Sequence, residues 1–157
     1  MAAGPRRATA APAWLGTAAL ALLCWPYLAS GAAKALDFAG ASAEVAGLGL
    51  PAPAPLAALT VLVQLGGSAL VIAGRLRWLG ALALAGFTLA ATLLAHAYWA
   101  FDPGPERVRH SITFGEHVGL VGAFLYVAWR DLAARRRGAT LLHGSGRNPV
   151  ESGNCGD

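Results

Sequence analysis

The sequence predicts an all-α integral membrane protein folded as a four-helix bundle, and three observations carry that prediction. Of its 157 residues 56% are hydrophobic and only 13% charged, against about a quarter charged in an ordinary soluble domain. Four apolar runs approach the roughly 20 residues that a helix needs to cross about 30 Å of hydrocarbon. The charges gather at the ends of those runs, where Trp14, Trp78, Trp99 and Trp129 also lie, as an interfacial aromatic belt should.

The elements follow in order. Residues 1–13 are an Ala/Pro-rich cytoplasmic tail containing Arg6 and Arg7. The bundle is expected over 14–130, with helices at about 14–35, 56–73, 78–101 and 112–130. Pro26 interrupts the first helix and predicts a kink. Between Leu36 and Pro55 the alternate prolines 51, 53 and 55 predict a loop. Gly74-Arg75-Leu76-Arg77 is a tight link, and Asp102-Pro103-Gly104-Pro105 a turn. A start of the last helix at Pro105-Glu106 is an alternative to residue 112, since proline is favoured at a first helical position. Residues 131–157 carry Arg135, Arg136 and Arg137, then turn Gly/Ser/Asn-rich, and are predicted to be a basic, disordered cytoplasmic tail.

Orientation follows from the basic residues. Arg6, Arg7, Arg75, Arg77, Arg130, Arg135, Arg136, Arg137 and Arg147 share one side of such a bundle, nine of the 12 Lys and Arg. The positive-inside rule places that side, with both termini, in the cytoplasm. A rival reading removes the first run as a signal peptide at the small residues Ala29-Ser30-Gly31-Ala32. No basic stripe with interleaved aromatics is present, so nucleic acid is not an expected partner. Cys24, in the middle of a run, and Cys155, near the end of the chain, form no disulfide framework and no metal spacing. Walker loops, nucleophile elbows and HExxH motifs are missing, which leaves the common soluble chemistries unsupported.

Hydrocarbon tolerates polar groups only where they meet one another, water or a ligand. Ser30, Lys34, Gln64, His96, Glu116 and His117 fall towards the same side of the bilayer. Thr60, Gln64 and Ser68 repeat every fourth residue, as do Thr88, Thr92 and His96, so each set makes one stripe. Gly66, Gly67, Gly115 and Gly119 permit close helix approach, and helix packing is the simplest account of the small and hydroxylated members. Gln64 lies roughly 13 Å deep at helical rise, where an unpaired amide is costly. Its expected partners are His96 or Thr92, or else a ligand. His96 and His117 suit proton exchange because an unperturbed imidazole titrates near neutrality. Two histidines on separate helices carry no metal motif, and no metal is expected. Glu116 fits a capping box in Thr113-Phe114-Gly115-Glu116. If the helix begins at Pro105, Glu116 lies inside it, and His110, Thr113 and His117 share one face. Lys34 either snorkels to the headgroups or pairs with Glu116. The candidate pocket is therefore Gln64, His96, Glu116 and His117.

Leu28-Ala29-Ser30-Gly31-Ala32-Ala33-Lys34-Ala35-Leu36-Asp37-Phe38 resembles the first-helix signature of the DoxX family of small bacterial membrane proteins. Gly49-Leu50-Pro51-Ala52-Pro53, Gln64-Leu65-Gly66-Gly67, Gly74-Arg75-Leu76-Arg77 and His96-Ala97-Tyr98-Trp99 follow in that family's order, and Ile112-Thr113-Phe114-Gly115-Glu116-His117 stands where the last helix usually begins. The resemblance spans about residues 14 to 130 and marks Ser30, Gly31, Lys34, Asp37 and Trp99 as signature positions. It implies a four-helix bundle in a bacterial inner membrane. It also implies an accessory or quinone-interacting subunit of a membrane redox system, with quinone as the cofactor to expect. Gln64 departs from a frequent family Glu, and Glu116-His117 from a common Lys-Asn pair. The bilayer, a redox protein or a second copy are the partners to expect. The competing reading is a non-catalytic scaffold recruiting a soluble partner through the basic tail. Small-molecule transport is less favoured, since the spans show no inverted repeat.

Overall fold

A computed structural model describes residues 12–144, and every expectation about residues 1–11 and 145–157 lies outside the described residues. The order is α1 (Ala13–Leu36), α2 (Phe38–Gly47), α3 (Pro53–Ala73), α4 (Arg77–Ala95), a 3-10 turn at Tyr98–Ala100, and α5 (Pro105–Gly144). Among the described residues there is no strand, and α1, α3, α4 and α5 are long and apolar enough to cross a membrane. The all-α, four-span expectation is met.

Helices α1, α3, α4 and α5 pack side by side in that order. Large side chains close the fourth side: Tyr27 of α1 meets Phe124 of α5 edge to face, ring centroids 5.4 Å apart. The core consists of Cys24, Tyr27, Val71, Ala81, Leu84, Ala85, Phe124 and Ala128. Close approach is set by glycine. A Cβ on Gly80 would stand 2.6 Å from the carbonyl oxygen of Gly67, so α3 and α4 touch backbone to backbone there. Gly31 serves α1 in the same way, for its Cβ would fall 2.9 Å from the Leu65 side chain. Gly66, Gly115 and Gly119 take no such part: Gly66 meets only Leu62, at 3.9 Å, and nothing lies within 4 Å at the other two.

Several boundaries differ from those expected. The helix expected to run to residue 101 ends at Ala95, with His96 as its C-cap and a separate 3-10 turn at Tyr98–Ala100. The Leu36–Pro55 segment contains α2, whose start is capped by the Asp37 carboxylate accepting from Gly40 N–H at 2.9 Å. Its prolines are not all loop formers, because α3 begins at Pro53. Pro53 and Pro55 occupy the first turn, where no N–H has an intrahelical partner to lose. At the other end α5 does not stop at Arg130 but continues to Gly144. Asp131 secures this stretch to the bundle: its carboxylate accepts from the Trp78 N–H at 3.3 Å and from Arg135 Nε at 2.8 Å. The tight link before α4 bends through Gly74 and Leu76, both with positive φ, and Arg77 Nε donates to the Val71 carbonyl at 2.9 Å.

Candidate functional site

Residues of all four spans line a partly open cavity of about 270 Å³. Pro26, Tyr27 and Ser30 line it from α1, Gln64 from α3, Phe87, Thr88 and Ala91 from α4, and His117 and Leu120 from α5. Its polar groups arrive by helical periodicity. Gln64 and Ser68 are buried on one stripe of α3, and Thr88 and Thr92 on one stripe of α4. Thr88 donates back to the Leu84 carbonyl at 2.7 Å, so the Tyr27 hydroxyl, 2.6 Å away, donates to Thr88 Oγ1. Gln64 Nε2 donates to Ser30 Oγ at 3.3 Å. Gln64 is 5% exposed, and its Oε1 has no hydrogen-bond partner. A buried amide oxygen without a partner is costly, which makes it the atom of this cavity that most needs a ligand.

Histidines border the cavity. His117 Nδ1 lies 2.6 Å from Thr92 Oγ1. The His96 ring packs against it edge to face at 5.2 Å, and His96 Nδ1 lies 3.2 Å from His110 Nδ1. His110 is stacked on Phe101, ring centroids 4.3 Å apart, and its Nε2 is 4.0 Å from Glu106 Oε2. Glu106 also pairs with Arg109. Among the described residues no group of three or more His, Cys, Asp or Glu is arranged to hold a metal ion.

A second, polar hollow of about 220 Å³ opens between α1 and α2, lined by Ser30, Lys34, Asp37 and Glu44 among others. Ser30 belongs to both spaces. Lys34 pairs with Glu44 there and not with Glu116. Phe87 and Ala91 also border an apolar groove of about 380 Å³ between α2, α3 and α4.

Of the four residues expected to share one pocket, Gln64 and His117 line the cavity. His96 stands one ring further out, in contact with His117 and bonded to neither Gln64 nor Thr92. Glu116 is exposed on the outer face of α5. Its capping role does not arise, since α5 begins at Pro105 and Thr113 is a mid-helix residue donating to the Arg109 carbonyl. Among the signature positions, Ser30 reaches the cavity, Lys34 and Asp37 the polar hollow, and Gly31 the α1–α3 contact. Trp99 is exposed beside Tyr98 and Phe114. Sequence reasoning missed the Tyr27–Thr88 pair and gave His110 no role at the site, although its i, i+7 spacing to His117 is readable.

The DoxX family model matches residues 17–97, which carry α1 to α4. No curated protein and no solved structure matches the chain.

Proposed function

Since this chain belongs to the DoxX family and is a multi-pass membrane protein, we propose that it is an accessory or quinone-interacting subunit of a membrane redox system. The observation that carries this reading is the partnerless Oε1 of buried Gln64 in the intramembrane cavity. Ser30, Gln64 and His117 each bear groups that both donate and accept hydrogen bonds. That suits a headgroup that is a carbonyl when oxidised and a hydroxyl when reduced. At about 270 Å³ the cavity lies just below the roughly 300 Å³ where whole small-molecule pockets begin, so it fits a ring-sized headgroup. The adjoining apolar groove, sharing Phe87 and Ala91, supports a ligand with an apolar chain. When bound, a quinone supplies two-electron, two-proton redox chemistry. Ser30 and Gln64 would orient it and His117 would hold or release a proton.

The basic-residue count supports cytoplasmic termini in a bacterial inner membrane. The open glycines of α5 support a homo-oligomer or another partner in the bilayer. Titrating the purified full chain in lipid nanodiscs with a short-chain benzoquinone tests the main reading. Gln64→Leu should weaken binding about tenfold, the loss of one buried hydrogen bond. Equal affinity in both proteins would contradict it.

One observation favours the scaffold reading beside it. The 40 residues of α5 measure about 60 Å at helical rise, twice the hydrocarbon thickness. Its last turns therefore project as an exposed helix carrying Arg135, Arg136 and Arg137. If that helix recruits a partner, truncation after Arg130 abolishes co-purification while His96→Gln does not.

A further inference from the structure

We propose that His110, His96 and His117 form a proton route from the Glu106 carboxylate, at the N-terminal end of α5, to the cavity lined by Ser30 and Gln64. The proposal rests on the reading of that cavity as a headgroup site, and gives the site a path for its protons.

The three imidazoles are in sequence. Glu106 is 61% exposed and reaches to 4.0 Å from His110 Nε2, one turn along the same helix. His110 then crosses to α4 through the 3.2 Å contact of its Nδ1 with His96 Nδ1. His96 returns to α5 by its edge-to-face contact with His117, which lines the cavity. The Nδ1-to-Nδ1 contact is informative in itself. It is a hydrogen bond only when one ring carries a proton there and the other a lone pair. Two imidazolium rings would point N–H at N–H, so the contact is built around a single shared proton. Its length lies within the range over which positioned side chains exchange protons. Phe101, stacked flat on His110, covers the ring face and leaves the nitrogen edge as the place where protons come and go.

Among the described residues the titratable and charged groups in ion-pair or hydrogen-bond contact with these rings are Glu106, with its partner Arg109, and the histidines themselves. Glu116, though next to His117 in sequence, is exposed and takes no part. An inward step starts when the Glu106 carboxylate accepts a proton from water and passes it to His110 Nε2. His110 releases its Nδ1 proton to His96 Nδ1, and His96 gives up its Nε2 proton to His117 Nε2, the nitrogen that the Thr92 contact leaves free. That same nitrogen delivers it to an acceptor oxygen in the cavity. One positive charge moves, only N–H and O–H bonds form or break, and no electron is transferred. The rival path is water reaching the cavity from the polar hollow past Ser30, which would bypass all three rings.

The test uses the full chain with ¹⁵N-labelled imidazoles in lipid nanodiscs, reading the exchange rate of the His117 ring N–H with water by NMR. His96→Gln and His110→Gln keep polar groups of similar size but cannot take up one proton and release another. In each, His117 exchange should slow by roughly a hundredfold, the low end of what a positioned acid–base group contributes. The Thr92–His117 hydrogen bond and the helical content should stay unchanged, which a merely structural role would not produce. An unchanged rate in both variants overturns the route in favour of water past Ser30. If neither folds, Glu106→Gln at the exposed end decides: slower exchange supports the route and an unchanged rate overturns it. Binding of unsubstituted benzoquinone to the same samples reports on the cavity separately. No binding to the unaltered chain would sink the headgroup reading, while the exchange rates would still decide the route.

Discussion

The Thr92 hydroxyl lies 2.6 Å from His117 Nδ1, joining the polar stripe of α4 to the α5 residue that lines the cavity. Thr92 is 1% exposed, so no solvent competes for the contact. It fixes which edge of the imidazole faces the protein and which remains for the cavity. Thr92→Val keeps the shape and removes the hydroxyl. It should destabilise the bundle by about 0.6–1 kcal/mol, the scale of interhelical hydrogen bonds in membranes, and shift the His117 ring nitrogens in NMR. An unaltered His117 spectrum would contradict the assignment.

Gly80 should be intolerant of even one methyl group. Its Cβ would meet the Gly67 carbonyl oxygen at 2.6 Å, a backbone atom that cannot rotate aside. Gly80→Ala is expected to cost about 1–3 kcal/mol by overpacking. Gly86→Ala, on the same helix with nothing within 4 Å, should be neutral or mildly stabilising. Thermal unfolding of both variants in one detergent checks the contrast.

Asp37 should act as a cap and not as a member of the cavity. Its carboxylate accepts from Gly40 N–H at the start of α2, in the polar hollow beside the Lys34–Glu44 pair. Asp37→Ala should cost about 1 kcal/mol locally. Hydrogen exchange should quicken over residues 38–47 while benzoquinone affinity is unchanged.

Asp131 should be what holds the extension of α5 in line with the bundle, since it binds both the Trp78 N–H and Arg135. Asp131→Ala removes a cap of α4 and an i, i+4 pair together, about 1–2 kcal/mol in sum. Spin labels at the neighbouring exposed positions 79 and 136 should report a broadened distance distribution.

These particulars show how much could be read in advance. The spans and their polar stripes were legible because burial in hydrocarbon imposes a period on the chain: Gln64 and Ser68, and Thr88 and Thr92, face inward as their four-residue spacing requires. Helix α2 was not, because the cluster of prolines concealed an Asp37 cap and prolines fitted to the first turn of α3. The fate of Glu116 and the pairing of His96 depend on where α5 begins and how it lies against α4. Helix phase is fixed only once that start is known, and the turn residues 102–105 allowed two starts. The Lys34–Glu44 pair likewise needed α2 to exist before it could be foreseen.

The most direct test of the central claim, that the Gln64 cavity receives a ring-sized polar headgroup, is photoaffinity labelling with an aryl-azide benzoquinone in nanodiscs, followed by peptide mass mapping. Labels on Tyr27, Phe87, Ala91 or Leu120, reduced by excess unlabelled quinone and by Gln64→Leu, are the result expected from the cavity's lining. Labels confined to the exposed faces around Trp25, Leu62 or Trp129, indifferent to Gln64→Leu, would contradict it.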